Sequence, residues 1–190
     1  MKDIKRIYED YLEQFPDEKD NLKLLGEQIY EGSELFNRKN YKGHVTASAT
    51  IFLKGTRKVL MIHHNFIQIW MTPGGHVDVE DKEIWQAALR EAIEETQVSG
   101  LELDDWHEKN DFIPIDIDSH AIPQRPAKQE DSHFHHDFNY VFWADNPNIS
   151  YNTNEVGDAQ WKDFDTLKLE IGRGDFFDKV IEILGNSEEK

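Results

Sequence analysis

Gly74-Gly75-His76-Val77-Asp78-Val79-Glu80-Asp81-Lys82-Glu83-Ile84-Trp85-Gln86-Ala87-Ala88-Leu89-Arg90-Glu91-Ala92-Ile93-Glu94-Glu95-Thr96 joins a glycine turn to an acidic helix. At about 100° per residue, Glu91, Glu94 and Glu95 share one face, because residues three and four apart are neighbours on a helix surface. Trp85, Leu89, Ala92, Ile93 and Thr96 fall on the other side and offer an apolar stripe to bury. Like charges so placed repel by a few tenths of a kcal/mol per exposed pair, and by more where water is excluded. A divalent cation removes that penalty. Hard carboxylate oxygens, beside a backbone carbonyl that glycine lets come close, suit magnesium or manganese.

Gly75 followed by Arg90-Glu91-Ala92-Ile93-Glu94-Glu95 resembles the Nudix box, the signature of hydrolases that cleave nucleoside diphosphates linked to another moiety. The family pattern is Gly-x5-Glu-x7-Arg-Glu-apolar-x-Glu-Glu-x-Gly-apolar, which here runs from Gly75 to Val98. Between Gly75 and Arg90 the chain has one residue more than that pattern. Counted forward from Gly75 the first acidic position is Asp81; counted back from Arg90 it is Lys82, which cannot serve. Gln97 stands where the family has a helix-ending glycine.

The resemblance implies Glu94 and Glu95 as metal ligands, with the carbonyl of Gly74 or Gly75 as a further one. It makes Glu91 a ligand or the general base, and Arg90 the cation that orients a carboxylate through its bidentate fork. In Nudix enzymes an acidic residue from a later loop often completes the metal shell or acts as base, and Glu155 is the candidate here. The implied fold is α+β, a mixed sheet held between helices. Asp78, Glu80 and Glu83 read as surface charges, which is also the bland reading of any lone Glu-Glu pair.

Composition narrows the partners. With 190 residues, 38% of them hydrophobic, the chain can bury one core. A net charge of −17 repels a polynucleotide backbone, while a small phosphorylated substrate is accessible once metal ions mask the charge. The absence of cysteine excludes disulfides, a thiolate nucleophile and cysteine zinc sites. It also disfavours a Nudix-like isoprenoid diphosphate isomerase, whose relatives employ a catalytic cysteine. Met1-Lys2-Asp3-Ile4-Lys5-Arg6 leads into no apolar secretory segment, and no apolar run is long enough to span a bilayer. A soluble, cytoplasmic protein is expected.

Two units are expected, a helical extension over 1–40 and a Nudix-like domain over 41–190. In the extension Ile4, Ile7, Tyr8, Tyr11, Leu12 and Phe15 recur at helix spacing, and Asn21 to Tyr30 forms a second helical segment. Such an extension packs on the main domain or on a second subunit, as in a homodimer. His44 to Leu53 and Lys58 to His63, across Gly55-Thr56-Arg57, predict a hairpin, and Ile67 to Met71 a strand into the Gly74-Gly75 turn. Val98 to Asn110 reads as loop, Asp111 to Asp118 as an alternating strand, and Ser119 to Asp131 as loop. His133 to Trp143 is an aromatic-rich strand, Glu155 to Phe164 a short strand and turn, and Phe176 to Leu184 an amphipathic helix.

Strand alternation puts His133, His135 and Asp137 on one face and Phe134, His136 and Phe138 on the other. Such a face could contact a substrate phosphate, coordinate a transition metal or simply pack. One Nudix subgroup is similar here, with a proline-containing loop before His-x-His-x-Asp. His76, next to the glycines, joins these three as a substrate-side candidate, whereas His44, His63, His64, His107 and His120 read as structural or exposed. The expected function is therefore metal-dependent hydrolysis of the diphosphate linkage in a small nucleoside diphosphate derivative. A Nudix fold that senses a nucleotide or sugar-nucleotide without turnover is the alternative, and a non-Nudix histidine-metal enzyme an outsider.

Overall fold

Strand β1 (His44–Leu53) is buried along its whole length, because both of its faces are covered. It runs parallel to β7 (His133–Ala144), in register from His44 opposite His135 to Leu53 opposite Ala144. The computed structural model describes residues 3–66, 68–124, 130–170 and 174–185. Within them, α1 (Ile4–Gln14) and α2 (Lys23–Glu31) precede β1, and β2 (Lys58–His64), β3 (Trp70–Met71), β4 (Gly74–His76) and α3 (Ile84–Thr96) follow it. Then come β5 (Glu102–Leu103), α4 (Asp105–Lys109), β6 (Asp116–Ile122), β7, β8 (Val156–Asp163), α5 (Phe164–Glu170) and α6 (Gly174–Leu184).

The strands form one mixed sheet in which β1 and β7 are the parallel pair. Strands β1 and β2 separate after Phe52–Val59 and Leu53–Lys58, so the expected hairpin is short. Beyond that point β2 continues against β8, while β4 pairs with β1 from Thr46 to Ser48. Gly74 and Gly75 are therefore strand residues, not the expected free turn. An added Cβ at Gly74 would lie 2.7 Å from Ala47 O and Ser48 Cα, so only glycine lets the two backbones come this close.

One sheet face packs Val45, Ala47, Ala49, Ile51, Phe138 and Tyr140 against Ile7, Tyr8, Tyr11 and Leu25 of the N-terminal helices and Ile84, Ala87, Ala88 and Ala92 of α3. The other face is apolar only in part. Phe52, Val59, Met61 and Val141 meet Phe164, Leu167, Phe176, Phe177 and Val180 of the C-terminal helices. The N-terminal helices thus bury their apolar side against their own chain. Lys179 fastens them there: its ammonium donates to Tyr11 Oη at 2.6 Å, Glu18 Oε1 at 2.5 Å and Asp116 Oδ1 at 3.0 Å, and lies 4.0 Å from the Phe15 ring centroid. Charge-assisted bonds from α6 to the extension and to β6 make this a three-way clamp.

Elsewhere local chemistry overrides the expected boundaries. Ile93 is 43% exposed, and Ile84, Ala87 and Ala88 carry the burial of α3 instead. The expected loop from Val98 to Asn110 holds β5 and α4, the latter capped by Asp104, which accepts from Trp106 N at 2.8 Å. Asp111 and Phe112 have φ of 52° and 58°, so the strand cannot begin there and β6 starts at Asp116. It then continues through Ile122, beyond the expected end at Asp118. Residues 125–129 of the expected loop, Ile67 of the expected strand and residues 186–190 of the tail lie outside the described residues.

Candidate active site and histidine face

The helix α3 starts where Gln86 Oε1 accepts from the backbone of Lys82 at 3.2 Å and of Glu83 at 3.3 Å. These two residues take up the extra length of the box, so both ends of the motif keep their partners. Asp81, counted forward from Gly75, meets Arg90: Nε donates to Oδ1 at 3.1 Å and a terminal nitrogen to Oδ2 at 2.9 Å. The same guanidinium reaches His76 O at 2.9 Å, Glu91 Oε1 at 2.9 Å and Glu94 Oε2 at 3.4 Å. Arg90 is the hub, and Asp81 and Glu91 hold it firmly in its charged form.

Each box glutamate has its own environment. Glu91 sits over Gly75, where an added Cβ would come within 2.6 Å of the carboxylate carbon, so the glycine is the seat of that side chain. Burial raises the pKa of Glu91, and Arg90 opposes the shift. Glu95 is only 5% exposed and accepts from Gly74 N at 2.9 Å. Burial pushes its pKa up to about 8, reinforced by Glu91, Glu155 and Glu94 and partly offset by the Gly74 N–H. Glu94 is the most open of the three, with 55% of its side chain exposed. The loop that carries Glu155 is tied to the end of α3 by Ser150 N to Thr96 O and Asn152 N to Glu95 O, both 3.2 Å. Glu155 itself is exposed and close enough for its charge to act on Glu95.

These carboxylates fit a hard divalent cation: an all-oxygen donor set, one member buried, with more negative charge than one guanidinium neutralises. They are not gathered as one set, because Arg90 bridges Glu91 and Glu94 while Gly74 N–H holds Glu95. Closing them on an ion takes side-chain rotation.

On the opposite face of the same strands, His135 and His133 of β7, His76 of β4 and His44 of β1 converge. His44 Nε2 lies 3.2 Å from His76 Nε2, and His133 Nε2 3.2 Å from His135 Nε2. The His44 ring stacks on those of His76 and His133, with centroids 5.1 and 4.8 Å apart. Burial lowers the pKa of His44, of His76 to about 4 and of His135 to about 2, and neighbouring imidazoles add to each shift. Asp137 follows them on the face but accepts from the Thr46 and Ser48 hydroxyls, at 2.8 and 2.5 Å, so both its oxygens are engaged by β1. His136 points the other way, to Gln28 Oε1 at 3.0 Å and Ser119 Oγ at 2.7 Å. Sequence reasoning had left His44 among the structural or exposed histidines. Its signal was the polar alternation His44-x-Thr46-x-Ser48-x-Thr50, legible only once β7 is known to lie alongside.

A cavity of about 470 Å³ lies elsewhere, lined by Phe52, Arg57, Trp143, Phe164, Ile181 and Leu184. Its one charged group, Arg57, pairs with Asp165 at 3.0 Å, so it offers no group for phosphoryl chemistry.

The NUDIX domain family matches residues 42–180. The chain belongs to the Nudix family. Among solved structures, the C. elegans Ap4A hydrolase is similar with a TM-score of 0.55 and 19% identity, over 74% of this chain and 96% of that one. The E. coli dihydroneopterin triphosphate pyrophosphohydrolase has a TM-score of 0.54 and 15% identity, over 73% and 92%. A NUDIX family hydrolase from Clostridium perfringens has a TM-score of 0.52 and 22% identity, over 72% and 97%. These likenesses establish the Nudix fold, a mixed sheet with helices on both sides. No curated protein matches the chain. Among the described residues no helix is long and apolar enough to cross a membrane.

Proposed function

We propose that the chain is a Nudix pyrophosphohydrolase that uses magnesium or manganese to cleave the diphosphate linkage of a small nucleoside diphosphate derivative. The observation that carries this reading is the placement of Glu91 and Glu95 against the backbone of Gly75 and Gly74, with Arg90 between Asp81 and Glu91. Glu94, Glu95, Glu91 and the Gly75 carbonyl would hold the cation. When bound, it would neutralise charge on phosphoryl oxygens and lower the pKa of a water.

The chain's own residues do the rest. Arg90 fixes the Glu91 carboxylate and the loop at His76, so the ligand set is oriented before substrate arrives. Gly74 N–H holds one oxygen of Glu95 and leaves the other for coordination. Glu91, where it does not itself ligate the cation, or the exposed Glu155 would accept the proton of the attacking water. Attack on one phosphorus breaks the P–O–P bond and yields two phosphorylated products. The face bearing His76, His133, His135 and Asp137 would border the substrate, with Asp137 acting through Thr46 and Ser48.

The test is a panel of nucleoside triphosphates, nucleotide sugars, ADP-ribose, dinucleotide cofactors and dinucleoside polyphosphates, run with magnesium, manganese or chelator. Similar folds carry enzymes as differently named as an Ap4A hydrolase and a dihydroneopterin triphosphate pyrophosphohydrolase, so the panel must be broad. Metal-dependent turnover that disappears in Glu95→Gln is expected. Binding without turnover would replace the hydrolase with a nucleotide sensor.

A further inference from the structure

The histidine face holds a second cluster of potential metal ligands, apart from the carboxylates that would hold the catalytic cation. Its members come from three strands, and pairing alone brings them together: His44 lies opposite His135, and Thr46, two residues along, lies opposite both Asp137 and His76. Ligand nitrogens of His44, His76 and His135 all lie within 4.8 Å of one another, and His133 adjoins His135 at 3.2 Å.

The protons can be placed. His44 Nδ1 is 3.3 Å from Asn40 O, and His133 Nδ1 is 2.7 Å from Asp131 O. A carbonyl oxygen only accepts, so in both rings Nδ1 carries a hydrogen, which in the neutral imidazole leaves Nε2 as the acceptor. Each Nε2 meets the Nε2 of another imidazole, His76 or His135, which donates to it while no ion is bound. An Nδ1–H tied to a backbone carbonyl, with Nε2 aimed into a shared space, is how proteins orient a metal-binding imidazole. Metal–nitrogen bonds of about 2.0–2.1 Å at tetrahedral angles set neighbouring nitrogens roughly 3.3 Å apart; the His44–His76 and His133–His135 pairs lie at 3.2 Å, and the triad as a whole lies within 4.8 Å, to be drawn in by an ion. Imidazole nitrogens without a carboxylate suit zinc and its neighbours, not magnesium.

We propose that His44, His76 and His135, with His133 beside them, bind one zinc-class divalent transition metal ion on the face of β4 opposite the carboxylate helix. The inference concerns binding, and it stands whether or not the carboxylates turn over substrate.

Titration of the untagged, metal-free full chain with cobalt(II) alone tests it. One equivalent should produce the visible absorption of four-coordinate cobalt, be displaced by one equivalent of zinc, and be unaffected by excess magnesium. Glu95→Gln should keep the band. His44→Gln and His135→Gln should each weaken cobalt binding at least about tenfold, with His76→Gln as a further variant should either of these lose its circular dichroism spectrum. Absence of a saturable band in the wild type overturns the proposal. So does a band lost in Glu95→Gln, displaced by magnesium, or retained in folded His135→Gln.

Discussion

On one side of β4, Glu91, Glu94 and Glu95 crowd negative charge around a single guanidinium. On the other, His44, His76, His133 and His135 crowd imidazole nitrogens with no carboxylate among them. Arg90 Nη1 bridges Glu91 and Glu94, whereas Glu95 is held separately by the Gly74 N–H. The imidazoles already meet in Nε2···Nε2 contacts of 3.2 Å, in which one ring donates and the other accepts, and the His44 ring stacks on that of His133. One strand thus separates a site that needs a cation to close from one assembled without it.

The sharpest way to break that contrast is to remove one carboxylate. Glu94→Gln and Glu95→Gln should each cut turnover by roughly a hundredfold or more, the scale of losing a well-placed charge in an active site. Glu95→Gln should leave cobalt binding at the histidines intact. Turnover at wild-type level in both variants would remove these glutamates from the catalytic centre.

The adjacent glycines sharpen the comparison structurally. At Gly74 an added methyl meets β1 backbone at 2.7 Å, whereas at Gly75 it meets the movable Glu91 carboxylate. Gly74→Ala should therefore destabilise the sheet by about 1–3 kcal/mol, the range for overpacking. Gly75→Ala should keep its thermal midpoint and lose activity instead. Chemical denaturation and kcat measured on both variants would reveal whether the two effects separate.

The two faces also pull stability in opposite directions with pH. Glu95 titrates near 8 when folded and near 4.5 when unfolded, so the folded state binds the extra proton between those values. Stability then falls as pH rises through that window, by on the order of a few kcal/mol in the metal-free protein. His76 and His135 have folded pKa values below 6.5, so the unfolded state binds the extra protons and stability falls as pH drops below 6.5 toward 4. Glu95→Gln should flatten only the alkaline limb of the thermal midpoint, even as it abolishes turnover. An alkaline limb unchanged in that variant would assign the slope to another group.

How much of this was legible in the sequence follows the range of the interactions. The helix and its glutamates could be read because a helical period needs only neighbours in the chain. Burial of Glu95 could not, since it depends on the backbone of Gly74, and a glycine pair has no side-chain alternation to announce a strand. The αL conformations of Asp111 and Phe112 and the short α4 were equally hidden: His107 Nδ1 bonds Ile113 O at 2.8 Å across the turn, and its Nε2 accepts from Val141 N of the distant β7 at 2.9 Å. The alternation of His133, His135 and Asp137 was visible, but the partner that completes the cluster, His44, is 89 positions or more away and joins only through the parallel pairing of β1 with β7.

The smallest expected effect concerns the departure from the family pattern at Gln97. The residue has φ 51° and ψ 18° and ends α3 in the left-handed region, its N–H bonded to Ile93 O at 2.9 Å. The helix therefore ends as a glycine would end it, with a side chain that pays a steric penalty of about 1 kcal/mol for the conformation. Gln97 is exposed, so its removal forfeits little packing. Gln97→Gly also gains freedom in the unfolded chain, which offsets part of the relief. A net stabilisation of about 0.5 kcal/mol is expected, a rise of roughly 1–2 °C in thermal midpoint for a chain of this size, with kcat unchanged. A lower midpoint would show that the glutamine side chain holds the helix end. A changed kcat with an unchanged midpoint would instead tie the departure from the box to the chemistry, through the loop whose Asn152 N–H rests on Glu95 O.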